Sequence, residues 1–168
     1  LFVALSEAHL WEVGHGRLYD VELTYGDDVL KSYFGLRSVE LTDVGLRING
    51  KPVFQRLVLD QGYYPDGIFT PATPDCYEYD ILAMKKLGFN MLRKHIKIEP
   101  EIFYYMCDKY GMLVFQDMVN SGKYNFIRDT ALPTVFMKKG VIKHANKKTK
   151  QNFKSSMLKT IAHLHNHP

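Results

Sequence analysis

The sequence predicts an α/β fold that opens with an antiparallel β segment. Three observations predict it. Residues 18–41 hold two apolar-rich runs around Gly26-Asp27-Asp28, the pattern of a hairpin. From residue 51 onward, strand-like runs alternate with helix-like runs, the pattern of βα units with parallel strands. The 168-residue chain is 46% hydrophobic and 13% aromatic, enough apolar side chain for a packed core. The N-terminal third therefore reads as part of a β-sandwich and the remainder as a βα array.

Each element has a local reason. LYDVELTY (18–25) and VLKSYFGLRSVEL (29–41) are the hairpin strands. LRING (46–50) and KPVFQRLVLD (51–60) flank Asn49-Gly50, a pair that favours a tight turn. Residues 61–75, rich in Gly, Pro, Asp and Tyr, read as a loop. Thr73 is placed to cap a helix with Pro74 in its first turn, running to Leu87 and stopping at Gly88. Its buried stripe is expected to be Ile81, Met84 and Leu87. FNMLRKHI (89–96) is a strand, and Pro100 opens a second helix that ends at Gly111. MLVFQDM (112–118) is apolar enough to be a strand buried on both faces. Residues 120–134 read as loop. A third helix spans 149–166, with Phe153, Met157, Ile161 and Leu164 on one face.

The composition excludes several functions. No apolar run approaches the roughly 18 residues of a membrane span, so no membrane partner is expected. Cys76 and Cys107 stand in neither a CxxC nor a Cys/His spacing and read as small buried hydrophobes. The net charge of +4 is unevenly spread: all 18 acidic residues lie at or before Asp129. Lysines 138, 139, 143, 147, 148, 150, 154 and 159 follow without a carboxylate. Phe136 and Phe153 are too few stacking platforms for a single-stranded nucleic acid. The segment reads as solvated loop and helix, and no nucleic-acid partner is expected. The N-terminus has neither a basic leader nor an initiator Met, so the chain is expected to begin within a longer protein, with a cytoplasmic compartment favoured.

In βα arrays, ligands collect at the carboxyl ends of the strands. Those positions here are Asp60, Gln61, Gly62, Tyr63 and Tyr64 after the first strand of the array. Arg93, Lys94, His95 and Lys97 follow the second; Gln116, Asp117 and Asn120 follow the third. Polar groups with aromatic rings on one rim suit a sugar, whose hydroxyls need donors and acceptors and whose ring faces stack on aromatics. Arg93 and His95 alternate, so both are expected on one strand face.

NGKPVFQRLVLDQGYYPDG, DILAMKKLGFNMLRKH and FYYMCDKYGMLVFQDM, in that order, resemble glycoside hydrolase family 2, the β-galactosidase and β-glucuronidase group. LWEVGHGRLYDVELTY with FGLRSVEL is similar to the last strands of that family's immunoglobulin-like domain. The resemblance implies that residues 1–45 close such a sandwich and that 46–168 form about three βα units of a TIM barrel. It implies a parent that is a retaining β-glycosidase acting on a carbohydrate substrate; from the residues themselves, no cofactor or metal is expected. Asp60, Gln61, Tyr64, Arg93, His95, Asp117 and Asn120 would contact the sugar, with Arg93 beside the nucleophile. The chain departs from the family at Gly16-Arg17, at Leu59-Asp60-Gln61 and at Gln116-Asp117, so the sugar stays open.

The closing HLHNHP could be metal-binding, since His163 and His167 are four residues apart, but no HExxH glutamate accompanies them. The resemblance reads it instead as a helix end leading to the family's acid/base glutamate. Both catalytic glutamates would then lie beyond Pro168, and the 168-residue chain is expected to be inactive alone, awaiting the rest of the barrel or a second copy. A non-catalytic carbohydrate-binding module and a basic nucleic-acid-binding fragment are the alternatives.

Overall fold

The computed structural model describes residues 3–119, 125–136 and 147–168. They divide into two compact units: residues 1–117 with 165–168, and residues 118–164. The fold is mixed α/β with antiparallel and parallel strands.

In the first unit, β1 (Tyr19–Tyr25) and β2 (Asp28–Phe34) pair antiparallel around the expected turn. The second predicted run does not continue to residue 41. It breaks after Phe34, and β3 (Val39–Thr42) joins a separate sheet with β4 (Gly45–Ile48) and β5 (Lys51–Pro52). Gly35 lies against Pro168 and Trp11, a close approach that a side chain would block. The β4–β5 turn is Asn49-Gly50, with φ of 50° and 73°, the left-handed pair that a two-residue hairpin needs.

The predicted strand 51–60 is also two elements. β6 (Leu57–Asp60) belongs to a third sheet, parallel to β7 (Met91–Lys94) and then to β8 (Leu113–Gln116). The break at 53–56 is held by Asn90, whose side chain accepts from Arg56 N–H at 2.8 Å and donates to Phe54 C=O at 2.9 Å.

α1 (Asp75–Lys86) and α2 (Glu101–Tyr110) are the crossover helices. Thr73 does not cap α1 through its side chain; Pro74 occupies the cap position. The buried stripe is Tyr77 and Ile81 with Met84 half-buried, while Leu87 is 71% exposed because it already lies past the last helical residue. α2 ends as expected on Gly111 in the left-handed region, φ 68°.

Trp11, Leu46, Ile48 and Met91 form a core cluster with Val13, Leu18, Val53 and Leu113 against it. It covers the amino ends of β7 and β8. Trp11 also donates from Nε1 to the Asp108 carbonyl at 2.7 Å. Of the two cysteines, Cys107 is buried and Cys76 only half-buried.

In the second unit, residues 127–136 are helical and not loop: a π-helical turn (Ile127–Ala131) runs into α3 (Leu132–Phe136). α4 (Lys147–Leu164) ends two residues earlier than predicted. Phe153, Met157 and Leu164 are half-buried as expected, but Thr160 takes the inward place and Ile161 is exposed. Among the described residues, no helix is long and apolar enough to cross a membrane.

Candidate functional site

The carboxyl ends of β6, β7 and β8 present two different faces. On one, Leu59, Arg93 and Phe115 lie in register as a row. Leu59 is 51% and Phe115 47% exposed, so this face is open, and β8 is not the doubly buried strand its apolar sequence predicted. Beyond the row, Arg93 and Asp117 form a bidentate pair, Nε to Oδ1 at 3.1 Å and Nη2 to Oδ2 at 3.0 Å. The Asp117 carboxylate raises the affinity of the Arg93 guanidinium for its proton.

The opposite face turns toward α1 and α2, and there the sequence signal was thinnest. Lys94 is fully buried, 0% exposed. Its Nζ lies 3.0 Å from Asp60 Oδ2 and 2.5 Å from Glu99 Oε1, and 4.6 Å above the Phe103 ring. Lys97 Nζ lies 2.9 Å from the same Glu99 oxygen and donates to the Gly62 carbonyl at 2.6 Å and to the Phe69 carbonyl. Tyr77 donates to Glu99 Oε2 at 3.2 Å, and burial followed by the nearby Glu99 charge pushes its hydroxyl pKa up. The Tyr104 hydroxyl accepts from Glu99 N–H at 3.2 Å and donates to Gln116 Oε1 at 2.7 Å. Burial pushes the pKa of that hydroxyl up to about 12. Gln116 in turn donates to the Lys97 carbonyl at 2.9 Å. Two ammonium groups thus meet two carboxylates, which is the condition for burying charge at all.

The residues predicted to share one rim are therefore divided. Arg93 and Asp117 meet on the open face. Asp60 is turned to Lys94 on the helix side. Gln61, Gly62, Tyr63 and Tyr64 line a cleft of about 490 Å³ between β6 and α1, with Asp80, Tyr77 and Leu92. Tyr64 donates to Asp80 Oδ2 at 3.1 Å; burial and then the Asp80 charge raise its pKa, and burial also raises that of Asp80. β7 ends at Lys94, so His95 lies past the strand and the expected strand alternation with Arg93 does not reach it. His95 N–H donates to the Asp60 carbonyl at 2.9 Å. Asn120 lies outside the described residues. Of the closing histidines, His165 and His167 lie beyond α4 rather than on it. His167 Nδ1 sits 2.6 Å from Asp108 Oδ2, so its ring serves an ion pair.

No family model matches the chain. A β-galactosidase of Pseudoalteromonas haloplanktis is 33% identical over 90 residues, 54% of this chain and 9% of that enzyme. A β-glucuronidase of Faecalibacterium prausnitzii matches in structure at 28% identity with a TM-score of 0.63, over 70% of this chain and 20% of that one. The family 2 β-galacturonidase of Eisenbergiella tayi, bound to galacturonate, superposes with a TM-score of 0.73 over 96% of this chain and 26% of that one. At 19% identity that last likeness is one of fold. The chain is a relative of glycoside hydrolase family 2. It spans about a tenth of the length of the curated relatives it matches.

In this family 2 relative the buried cluster of Lys94, Lys97, Glu99 and Asp60 is not legible from strand-end position alone. From the sequence, Lys94 and Lys97 read as rim cations and Glu99 carries no signal. One signal was there to read. If Arg93 faces out from the strand, Lys94 must face in, and an inward lysine requires a carboxylate nearby.

Proposed function

We propose that the chain is a segment of a retaining β-glycosidase that cleaves O-glycosidic bonds of β-galactoside- or β-glucuronide-type sugars. Residues 1–45 are the closing strands of an immunoglobulin-like sandwich, and 46–168 the first three βα units of a TIM barrel. The single observation that carries this is the Arg93–Asp117 pair, seated at the carboxyl ends of adjacent parallel strands on an open face. In βα barrels that is the end where substrates bind.

In this reading Arg93 faces the sugar site and holds a neighbouring carboxylate nucleophile ionised, since a fixed guanidinium favours the charged form. Asp117 orients Arg93 and, with His95, offers acceptors and donors to sugar hydroxyls. Asp60, turned to Lys94, and Gln61 and Tyr64, in the cleft beside α1, adjoin that site from the β6 end without sharing the Arg93 face. Retention requires two carboxyl groups roughly 5–5.5 Å apart, one as nucleophile and one as acid then base. The proposal assigns neither role within these 168 residues; both carboxylates come from the remainder of the barrel, and the segment alone is inactive.

The test is hydrolysis of a panel of p-nitrophenyl β-glycosides by this chain and by the chain extended through a complete barrel. Turnover by the extended protein alone supports the reading and names the sugar. Turnover by the short chain would mean that one of its own carboxylates does the chemistry, and the proposal would fall.

A further inference from the structure

The backbone after β7 carries a strain that the buried charges are arranged to hold. Ile96 has φ 63°, a left-handed conformation that a β-branched residue rarely adopts. It is the centre of a three-residue turn closed by Lys97 N–H to the His95 carbonyl at 2.6 Å, a tight turn of the strained kind. Such a residue persists only where its surroundings over-determine it, and such residues gather at ligand sites. Here the surroundings are specific. His95, on one side, is tied by its N–H to the Asp60 carbonyl at 2.9 Å. Lys97, on the other, is tied by its ammonium to Glu99, Gly62 and Phe69. Its carbonyl is held by Gln116 at 2.9 Å. Glu99 is itself fixed by Lys94 and Tyr77.

A buried ion network of this kind is weak as a source of stability, because well-packed apolar side chains would serve as well. What apolar side chains could not do is fix the direction of a strained turn. We propose that Lys94, Lys97 and Glu99 are positioning residues: their buried ion cluster holds the His95-Ile96-Lys97 turn, and so fixes His95 and the adjoining Arg93 at the carboxyl edge of the sheet. The cluster reaches all three strand ends, through Asp60 of β6, Lys94 of β7 and Gln116 of β8. It touches no substrate itself. The consequence for turnover rests on the glycosidase reading above; the consequence for the turn does not.

The experiment is amide hydrogen exchange on the 168-residue chain, wild type against Glu99→Gln. Exchange at the His95 and Lys97 amides should rise at least about tenfold more in the variant than exchange at Met106 and Cys107 in α2, which reports any loss of global stability. Equal acceleration in α2 would mean that the cluster only stabilises the fold, and no acceleration at the turn would mean that it does not hold it; either overturns the proposal. Should Glu99→Gln fail to fold, Lys97→Met, which alters the more exposed end of the cluster, is read at the same amides with the same expected outcome. In the extended protein, the same substitutions should lower kcat by about tenfold with KM little changed. Absence of glycosidase turnover in the extended wild type would sink the glycosidase reading and leave the exchange result to decide the positioning role.

Discussion

Arg93 and Asp117 face each other across neighbouring parallel strands with both guanidinium bonds made, at 3.1 and 3.0 Å. The pair is solvent-accessible, with half of the Arg93 side chain exposed. Exposed ion pairs contribute little to folding unless their geometry is bidentate, as here; the proposed function gives this pair a role in recognition as well.

Arg93→Ala and Asp117→Asn should therefore separate stability from activity. Each is expected to move the melting midpoint of the chain by no more than about 2 °C. In the extended protein each should cost at least about tenfold in kcat/KM, as expected for lost orientation at a reacting centre. Thermal melts and steady-state kinetics on the same preparations check both halves.

Gly62 is predicted to be intolerant of any side chain. Its φ is 66°, and a Cβ there would overlap the Glu99 carboxylate and the Lys94 ammonium. Gly62→Ala should destabilise the fold by about 1–3 kcal/mol, through overpacking and backbone strain together. Urea denaturation with an unchanged m-value would establish the loss as one of the native state.

The buried pair itself should be strongly non-additive. Lys94→Met leaves Glu99 buried with Lys97 as its remaining ammonium partner, and should cost about 3–5 kcal/mol. Adding Glu99→Leu to remove the stranded charge should recover a large part of that loss. A double-mutant cycle by denaturation tests this; a double variant as unstable as the sum of the singles would contradict it.

His167 gives the chain a pH dependence. Its Nδ1 is 2.6 Å from Asp108 Oδ2, and this hydrogen bond, with the nearby Asp108 and Glu101 charges, raises its pKa despite partial burial. Tyr33 also faces the pair, donating to Asp108 at 2.8 Å. A histidine with a raised folded pKa contributes its full stabilisation below its unfolded value, about 6.5, and loses it as pH rises through the folded value. The melting midpoint should thus fall as pH is raised from about 6 to 8, and His167→Gln should flatten that slope. Trp11 is the sole tryptophan and bonds to the Asp108 carbonyl, so its fluorescence reports the same region.

Local rules were legible wherever a residue acts through its own backbone. Asn49-Gly50 forms the tight turn, Gly111 ends α2, and the parallel order of β6, β7 and β8 follows from strand–helix alternation. The failures came where a distant side chain decides. Asn90 splits residues 51–60 by bonding to Phe54 and Arg56, which no pattern within that run could reveal. Tyr77 replaces Leu87 in the α1 stripe because its hydroxyl reaches Glu99, twenty-two positions on. At the candidate site, Arg93 and Asp117 were legible as strand-end polar groups. Asp60 was legible too, but its inward turn toward Lys94 depends on Glu99 and Phe103, which come from the following loop and helix.

The proposed retaining β-glycosidase would keep the anomeric configuration of its sugar. Its most direct test is proton NMR of the extended protein turning over a p-nitrophenyl β-glycoside, observing the first sugar anomer released. The expected first product is the β-anomer, formed before mutarotation, with no product from the 168-residue chain alone. First release of the α-anomer, or turnover by the short chain, would contradict it.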